Sequence, residues 1–184
     1  MKKPGWLTLI LLLLLIPAYW DKFQEWRIQH SGSGPSAPVP EAGSIHPGGK
    51  VVGVHDGDTI TVYAGEGQPQ IKVRLAGIDA PELKQAYGNA AKVALSDMVF
   101  GKPVELRNTS RDRYGRTVAA VIVDGATEVN PAMVRAGMAW HYKAYSKDAA
   151  LAQAEQEARA AKRGLWQEGK PVAPWEFRKK PKKG

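Results

Sequence analysis

Between residues 50 and 125 apolar and polar positions alternate in short runs. Lys50–Val54 (KVVGV), Asp58–Ala64 (DTITVYA) and Gln70–Ile78 (QIKVRLAGI) are rich in β-branched residues and carry the two-residue rhythm of half-buried strands. The first two meet at Asp56-Gly57, a two-residue hairpin signal in which glycine is expected to accept a positive φ. A glycine-containing loop, GEGQP, joins the second run to the third. Two further strand-like runs, PVELRNTSRDR and GRTVAAVIVDG, flank Tyr114-Gly115. The rhythm changes to helical in YGNAAKVALSDMVF, which puts Ala90, Val93, Ala94 and the Met98 region on one side and stops at Gly101 before Pro103. Asn130 is expected to cap a short helix, NPAMVRAGM, with proline in its first turn and Gly137 at its end. SKDAALAQAEQEARAAKRG reads as a final helix, rich in alanine and glutamate and stopped by Gly164. Many strands with three helices make an α+β chain.

The flanks follow different patterns. Residues 1–20, MKKPGWLTLILLLLLIPAYW, place two lysines before an almost pure leucine and isoleucine run. The stretch from Trp6 to Trp20 reaches roughly 22 Å as a helix, short of the roughly 30 Å hydrocarbon core. That length suits the apolar part of an export signal, but a small-x-small cleavage site is missing around Ile16-Pro17-Ala18. Residues 1–28 are therefore expected to remain as a short membrane anchor, with Lys2 and Lys3 cytoplasmic and everything downstream outside, or to release a secreted protein if cleaved. Residues 29–49 are nearly all glycine, proline and small polar residues and read as a flexible tether. The folded domain is expected over 50–177, with a basic tail over 178–184.

Composition narrows the chemistry. The 184 residues contain no cysteine, which excludes disulfides, thiol catalysis and cysteine–zinc sites. The four histidines have no metal-ligand spacing, so a bound metal would be held by oxygen, which favours calcium or magnesium. Net charge is +8, and five of the positive charges lie in the last seven residues, RKKPKKG. Such a surface suits a polyanion, whether nucleic acid or anionic lipid, and a basic tail also serves simply to keep a protein soluble.

Three stretches stand out as candidate chemistry. In VHDGDTI the turn accounts for Asp56 and Gly57 but not for Asp58, a carboxylate with poor β propensity at the mouth of a strand. In RLAGIDAPEL, Asp79 and Glu82 bracket an Ala-Pro corner, and in DRYGR a turn glycine precedes Arg116. Each taken alone is also compatible with a plain turn.

In this order and at these separations, DGDT, RL-x-GIDAPE and DRYGR, together with NPAMVRAGMAW and KRGLW, resemble the thermonuclease (staphylococcal nuclease-like) family over about 70% of the chain, residues 50–177. The resemblance implies a five-stranded OB-type Greek-key β-barrel with three α-helices. It also implies a calcium-dependent endonuclease that cuts DNA and RNA with little sequence specificity and leaves 3′-phosphate ends. Asp58 and Asp79 would ligate Ca2+ through their carboxylates and Ala80 through its backbone carbonyl. Glu82 matches the catalytic glutamate, and Arg74 and Arg116 match the arginines that grip the scissile phosphate. Arg113 and Tyr114 fall where relatives contact a terminal phosphate or nucleotide. Tyr145 is the best base-stacking candidate in WHYKAYS, with Trp140 expected to pack against the last helix. The residue types suit the reaction: a carboxylate can take a proton from water, and arginine forks stabilise the charge that grows on phosphate. Two other readings stand beside this one: a non-catalytic nucleic-acid-binding OB module, and a membrane-tethered structural protein that touches anionic lipid through its tail. A monomer is expected.

Overall fold

A computed structural model describes residues 46–179. The anchor segment 1–28, residues 29–45 of the tether and residues 180–184 of the tail lie outside the described residues. Five strands close into a barrel: β1 (His46–Val54), β2 (Thr59–Tyr63), β3 (Ile71–Leu75), β5 (Pro103–Arg111) and β6 (Thr117–Val123). Antiparallel pairing runs β3-β2-β1-β5-β6, and a parallel register of β3 on β6, with Arg74 opposite Val118, closes the ring. A closed ring leaves no barrel edge to aggregate. Inward-facing Val51, Ile60, Val62, Val73, Leu75, Leu106, Ala119 and Val121 fill it. Each large aliphatic side chain buried in this way contributes about 1.5–3 kcal/mol.

Three helices cover the barrel, as expected: α1 (Gly88–Val99), α2 (Val129–Arg135) and α3 (Ala149–Ala160). They bury Leu95 and Val99, Met133 and Val134, and Leu151 and Ala154 in the same core as the strands, α3 packing mainly on α2. Two short two-residue strands, β4 (Ile78–Asp79) and β8 (Trp140–His141), pair with each other, and β7 (Thr127–Glu128) pairs antiparallel with the end of β6. A 3-10 turn over Gly164–Gln167 and a further helix, α4 (Pro174–Lys179), follow α3. Among the described residues no helix is long and apolar enough to cross a membrane.

On α1 the buried face is Ala91, Leu95 and Val99 rather than Ala90, Val93 and Ala94, with Val93 57% exposed. Elsewhere the fold departs from the sequence pattern at four points. Strand β1 begins at His46 rather than Lys50, because main-chain pairing of His46 with Leu106 and Gly49 with Val104 carries it through the Gly-Gly pair. Asn130 does not cap α2, whose N-cap is Glu128. The Asn130 carboxamide is buried instead, accepting the Val121 N–H at 3.0 Å and donating to the carbonyls of Ala76 at 2.9 Å and Ala119 at 3.2 Å. It fastens the helix to the barrel wall where apolar side chains could not satisfy those backbone groups. Helix α3 ends at Ala160, before Gly164, as Lys162 turns left-handed (φ 50°). Its N-cap is Asp148, which accepts the N–H groups of Ala150 and Leu151. The fourth point is α4, too short at six residues to show a helical period.

Candidate active site

Asp58 sits at the mouth of the β1–β2 hairpin. His55 N–H donates to the Thr59 carbonyl, and the Asp56 carboxylate accepts the Asp58 N–H at 3.1 Å, which closes the turn and fixes the Asp58 backbone. Gly57 is not in the left-handed region expected of it. Its requirement is space: a Cβ there would lie 2.6 Å from the Ala91 side chain and 2.7 Å from that of Ala80. The tight approach seats the Asp58 carboxylate on the segment after β4, where its Oδ2 accepts the Ala80 N–H at 2.7 Å. Oδ1 accepts the Thr59 hydroxyl at 3.1 Å. Burial pushes the Asp58 carboxyl up to about 7; Asp56 and Asp79 push the same way, and Arg74 and the Ala80 N–H pull against them.

Arg74 lies on β3 opposite Thr59, which places its guanidinium beside Asp58. After β3 the chain turns at Gly77 and returns as β4, where Asp79 pairs with Trp140 of β8. Both acids then converge on one nitrogen: Arg74 Nη2 is 3.2 Å from Asp58 Oδ2 and 3.0 Å from Asp79 Oδ1. The Asp79 side chain is 2% exposed, so its charge would be costly without partners.

Glu82 stands on the turn that follows. Its N–H donates to Gln85 Oε1 and its carbonyl accepts the Gln85 N–H. Gly88 closes that turn, and a Cβ at Gly88 would fall 1.9 Å from the Glu82 carbonyl oxygen. Gly88→Ala is therefore expected to force the Glu82 turn away from α1 and to cost about 1–3 kcal/mol, the usual range for overpacking. A denaturant titration of the variant against wild type checks this; an unchanged midpoint would mean the turn yields freely.

The carboxylates have a partner that the three motifs did not announce. Arg178, on the last turn of α4, donates from Nη2 to Asp79 Oδ2 at 2.7 Å. Its Nη1 donates to Glu82 Oε1 at 2.8 Å and to Asp79 Oδ1 at 3.2 Å. The hydrogen bond to Asp79 and the second to Glu82 raise the Arg178 pKa above its already high ordinary value. In the sequence Arg178 opens the basic run RKKPKKG, yet in the fold it belongs to a docked helix. The PWEFR stretch was the available signal, since proline starts a helix and tryptophan anchors one.

The other candidates lie apart from this cluster. Arg116 immediately precedes β6, two residues from the register partner of Arg74. It donates from Nε to Asp112 Oδ2 at 2.7 Å, while Asp112 Oδ1 accepts the N–H groups of Tyr114 and Arg116. Against the upward push of burial, these bonds from Arg116 and the backbone hold the Asp112 carboxyl below its usual range. The guanidinium of Arg113 lies over the Tyr114 ring at 4.8 Å, on an exposed turn. Tyr145 is 80% exposed and touches Tyr142, their centroids 4.9 Å apart. Trp140 packs on Trp166, with centroids 4.4 Å apart, and under Arg159 of α3. Beside these aromatics is a cavity of about 420 Å³ lined in part by Trp140, Tyr142, Lys143 and Trp175.

Asp58, Arg74, Asp79, Ala80 and Glu82 are thus brought together, and Arg116 stands just before β6, the strand that pairs with that of Arg74. Among the described residues no set of three or more His, Asp or Glu side chains is arranged to hold a metal. An ion here would rest on Asp58 and Asp79, completed by backbone oxygen and water. Two carboxylate oxygens already converge on a single cationic nitrogen, and all-oxygen donors fit a hard dication.

A family model described as "Staphylococcal nuclease homologue" matches residues 72–168. The chain is 45% identical over 133 residues to a protein of Haemophilus influenzae named "Uncharacterized endonuclease", covering 72% of this chain and 74% of that one. A protein of the same name from Escherichia coli O157:H7 is 45% identical over 130 residues, 71% of this chain and 84% of its own. A "Micrococcal nuclease" of Shigella flexneri is 40% identical over 141 residues, 71% of this chain and 80% of its own.

Proposed function

Because the chain belongs to the staphylococcal nuclease family and is a nuclease, a hydrolase of phosphodiester bonds, we propose its finer chemistry: it is calcium-dependent, cuts both DNA and RNA with little sequence specificity, and leaves 3′-phosphate ends. It acts as a monomer outside the cytoplasm, tethered to the membrane by residues 1–28. The observation that carries the reading is the convergence of Asp58 and Asp79 on one nitrogen of Arg74, with Glu82 joined to Asp79 through Arg178.

Asp58, Asp79 and the Ala80 carbonyl would hold the calcium ion, which supplies neutralisation of the phosphate charge when bound. The remaining work falls to the chain's own side chains. Arg74 and Arg116 grip the non-bridging oxygens of the scissile phosphate; Arg116 keeps its orientation through Asp112. Glu82 takes a proton from a water, whose oxygen bonds to phosphorus as the bond to the 5′-oxygen breaks. The departing 5′-oxygen takes a proton from solvent, and the phosphate stays on the 3′ side. The guanidinium groups stabilise the charge that accumulates between these events. Arg113, Tyr114 and Tyr145 are exposed and suited to hold flanking phosphate and base.

The test uses residues 46–184, which begin at the first residue of β1 and carry every strand of the barrel, and which are therefore expected to fold alone. The fragment is expected to be soluble without detergent and to cut end-labelled single-stranded DNA and RNA in calcium but not in chelator. Its products should carry 3′-phosphates, removable by a 3′-phosphatase. Equal cleavage with and without calcium would overturn the metal reading, and 5′-phosphate ends would overturn the bond assignment. A fragment active only when residues 1–45 are restored would move the domain boundary.

A further inference from the structure

We propose that Arg178 is a built-in counter-cation that latches the acid cluster when no metal is bound, and that a calcium ion must displace it. The inference rests on the calcium reading above and adds a competitor to it. Three hydrogen bonds seat the guanidinium on both Asp79 oxygens and on Glu82. Those are a carboxylate assigned to the ion and the carboxylate assigned to the water. A guanidinium bonded to Glu82 Oε1 occupies a lone pair that would accept the proton, and one on Asp79 Oδ2 occupies a ligand position. The latched arrangement is therefore closed to catalysis.

The latch is placed by the fold, not by a wandering surface side chain. Trp175, one helical turn before Arg178, stacks on Tyr142 with rings 5.2 Å apart and 5° from parallel. It meets the edge of Trp140, itself the register partner of Asp79, at 5.4 Å. Gln85, three residues beyond Glu82, donates from Nε2 to the Val172 carbonyl at 2.6 Å, which ties the Glu82 turn to the segment leading into α4. Ala173 and Pro174 are buried at the start of that helix. These anchors all precede Arg178 and hold α4 by its N-terminal part, while the Arg178 side chain itself is 43% exposed. It can thus leave the carboxylates for water without unseating α4. With the ion out, Arg74 and Arg178 offset two of the three carboxylate charges; a bound dication takes over the share of the released Arg178.

The experiment measures calcium affinity by calorimetry, and melting temperature in chelator and in saturating calcium, on the full chain in detergent. Wild type is compared with Arg178→Gln and with Lys179→Gln, which removes the same charge from the next residue, bonded to Glu176 and not to the cluster. Arg178→Gln is expected to bind calcium about tenfold more tightly than wild type, the scale of one charge-assisted hydrogen bond no longer broken. It should melt lower than wild type in chelator, and the gap should narrow in calcium. Lys179→Gln should shift affinity by less than about twofold, as expected of an exposed charge. Unchanged or weaker calcium binding by Arg178→Gln, with a melting deficit equal in both conditions, would make Arg178 a structural brace and overturn the latch. Equal gains in both variants would reduce the effect to bulk charge and also overturn it. No calcium binding by any of the three proteins would defeat the calcium reading itself, and the latch with it.

Discussion

Glu82→Gln is expected to lower the single-turnover rate of single-stranded DNA cleavage by roughly 10²–10⁴-fold, the usual loss when a positioned base is removed. Glutamine keeps the shape and volume of the side chain but cannot accept the proton. Affinity for an uncleavable analogue should stay within a few-fold of wild type, because Arg74 and Arg116 still supply the phosphate attraction. The carboxylate is 42% exposed and its turn is held by backbone bonds to Gln85, so the substitution should not unfold the site. Its one cost to structure is the bond from Arg178, an exposed ion pair worth about 0–1 kcal/mol. A variant that cuts within a few-fold of wild type would sink the assignment of Glu82 as base. One that loses binding and rate together would recast it as scaffold.

The barrel and the acid cluster were legible in the sequence for different reasons. Burial alternates through Ile60 and Val62 in β2, Val73 and Leu75 in β3, Val104 and Leu106 in β5 and Ala119 and Val121 in β6, so that rhythm survives in the one-dimensional pattern. Asp58, Arg74, Asp79 and Glu82 lie within 25 consecutive residues; each stretch alone is compatible with a plain turn, and it is the ordered set DGDT, RL-x-GIDAPE and DRYGR, through its resemblance to the nuclease family, that groups them. What the sequence hid depends on distant partners. Asn130 resembles a helix cap because capping is the common use of asparagine before proline, yet its carboxamide serves the backbone of Ala76, a partner 54 positions away. Gly57 resembles a positive-φ turn residue, whereas its role is to let Ala91 and Ala80 approach. Arg178 was hidden most deeply, since its acceptors lie 99 and 96 positions upstream and its helix is too short for a period.

Asp79→Ala should abolish calcium-dependent cleavage while Asp56→Ala leaves it within about tenfold of wild type, and the contrast follows from what each carboxylate touches. Asp79 is buried and accepts bonds from both Arg74 and Arg178, so its loss takes an acceptor from two guanidinium groups at once and leaves Arg74 with Asp58 and Arg178 with Glu82. Calcium affinity should fall by more than the roughly 10–100-fold typical of losing a group that only supports a ligand. Stability should fall by about 1–3 kcal/mol from the broken charge-assisted bonds, partly offset because Asp79 no longer repels Asp58. Asp79→Asn separates the two effects: it keeps the volume and one acceptor oxygen for the guanidinium groups, so it should recover part of the stability and little of the calcium binding. Asp56 makes a single bond, to the Asp58 N–H at 3.1 Å, which shapes the hairpin. Replacing it should cost about 1 kcal/mol and shift Asp58 only slightly. Calcium titrations and cleavage rates on the three variants decide the matter. Equal losses in Asp56→Ala and Asp79→Ala would mean that the hairpin and corner carboxylates share one structural task. Full calcium binding by Asp79→Asn would remove Asp79 from the ligand set.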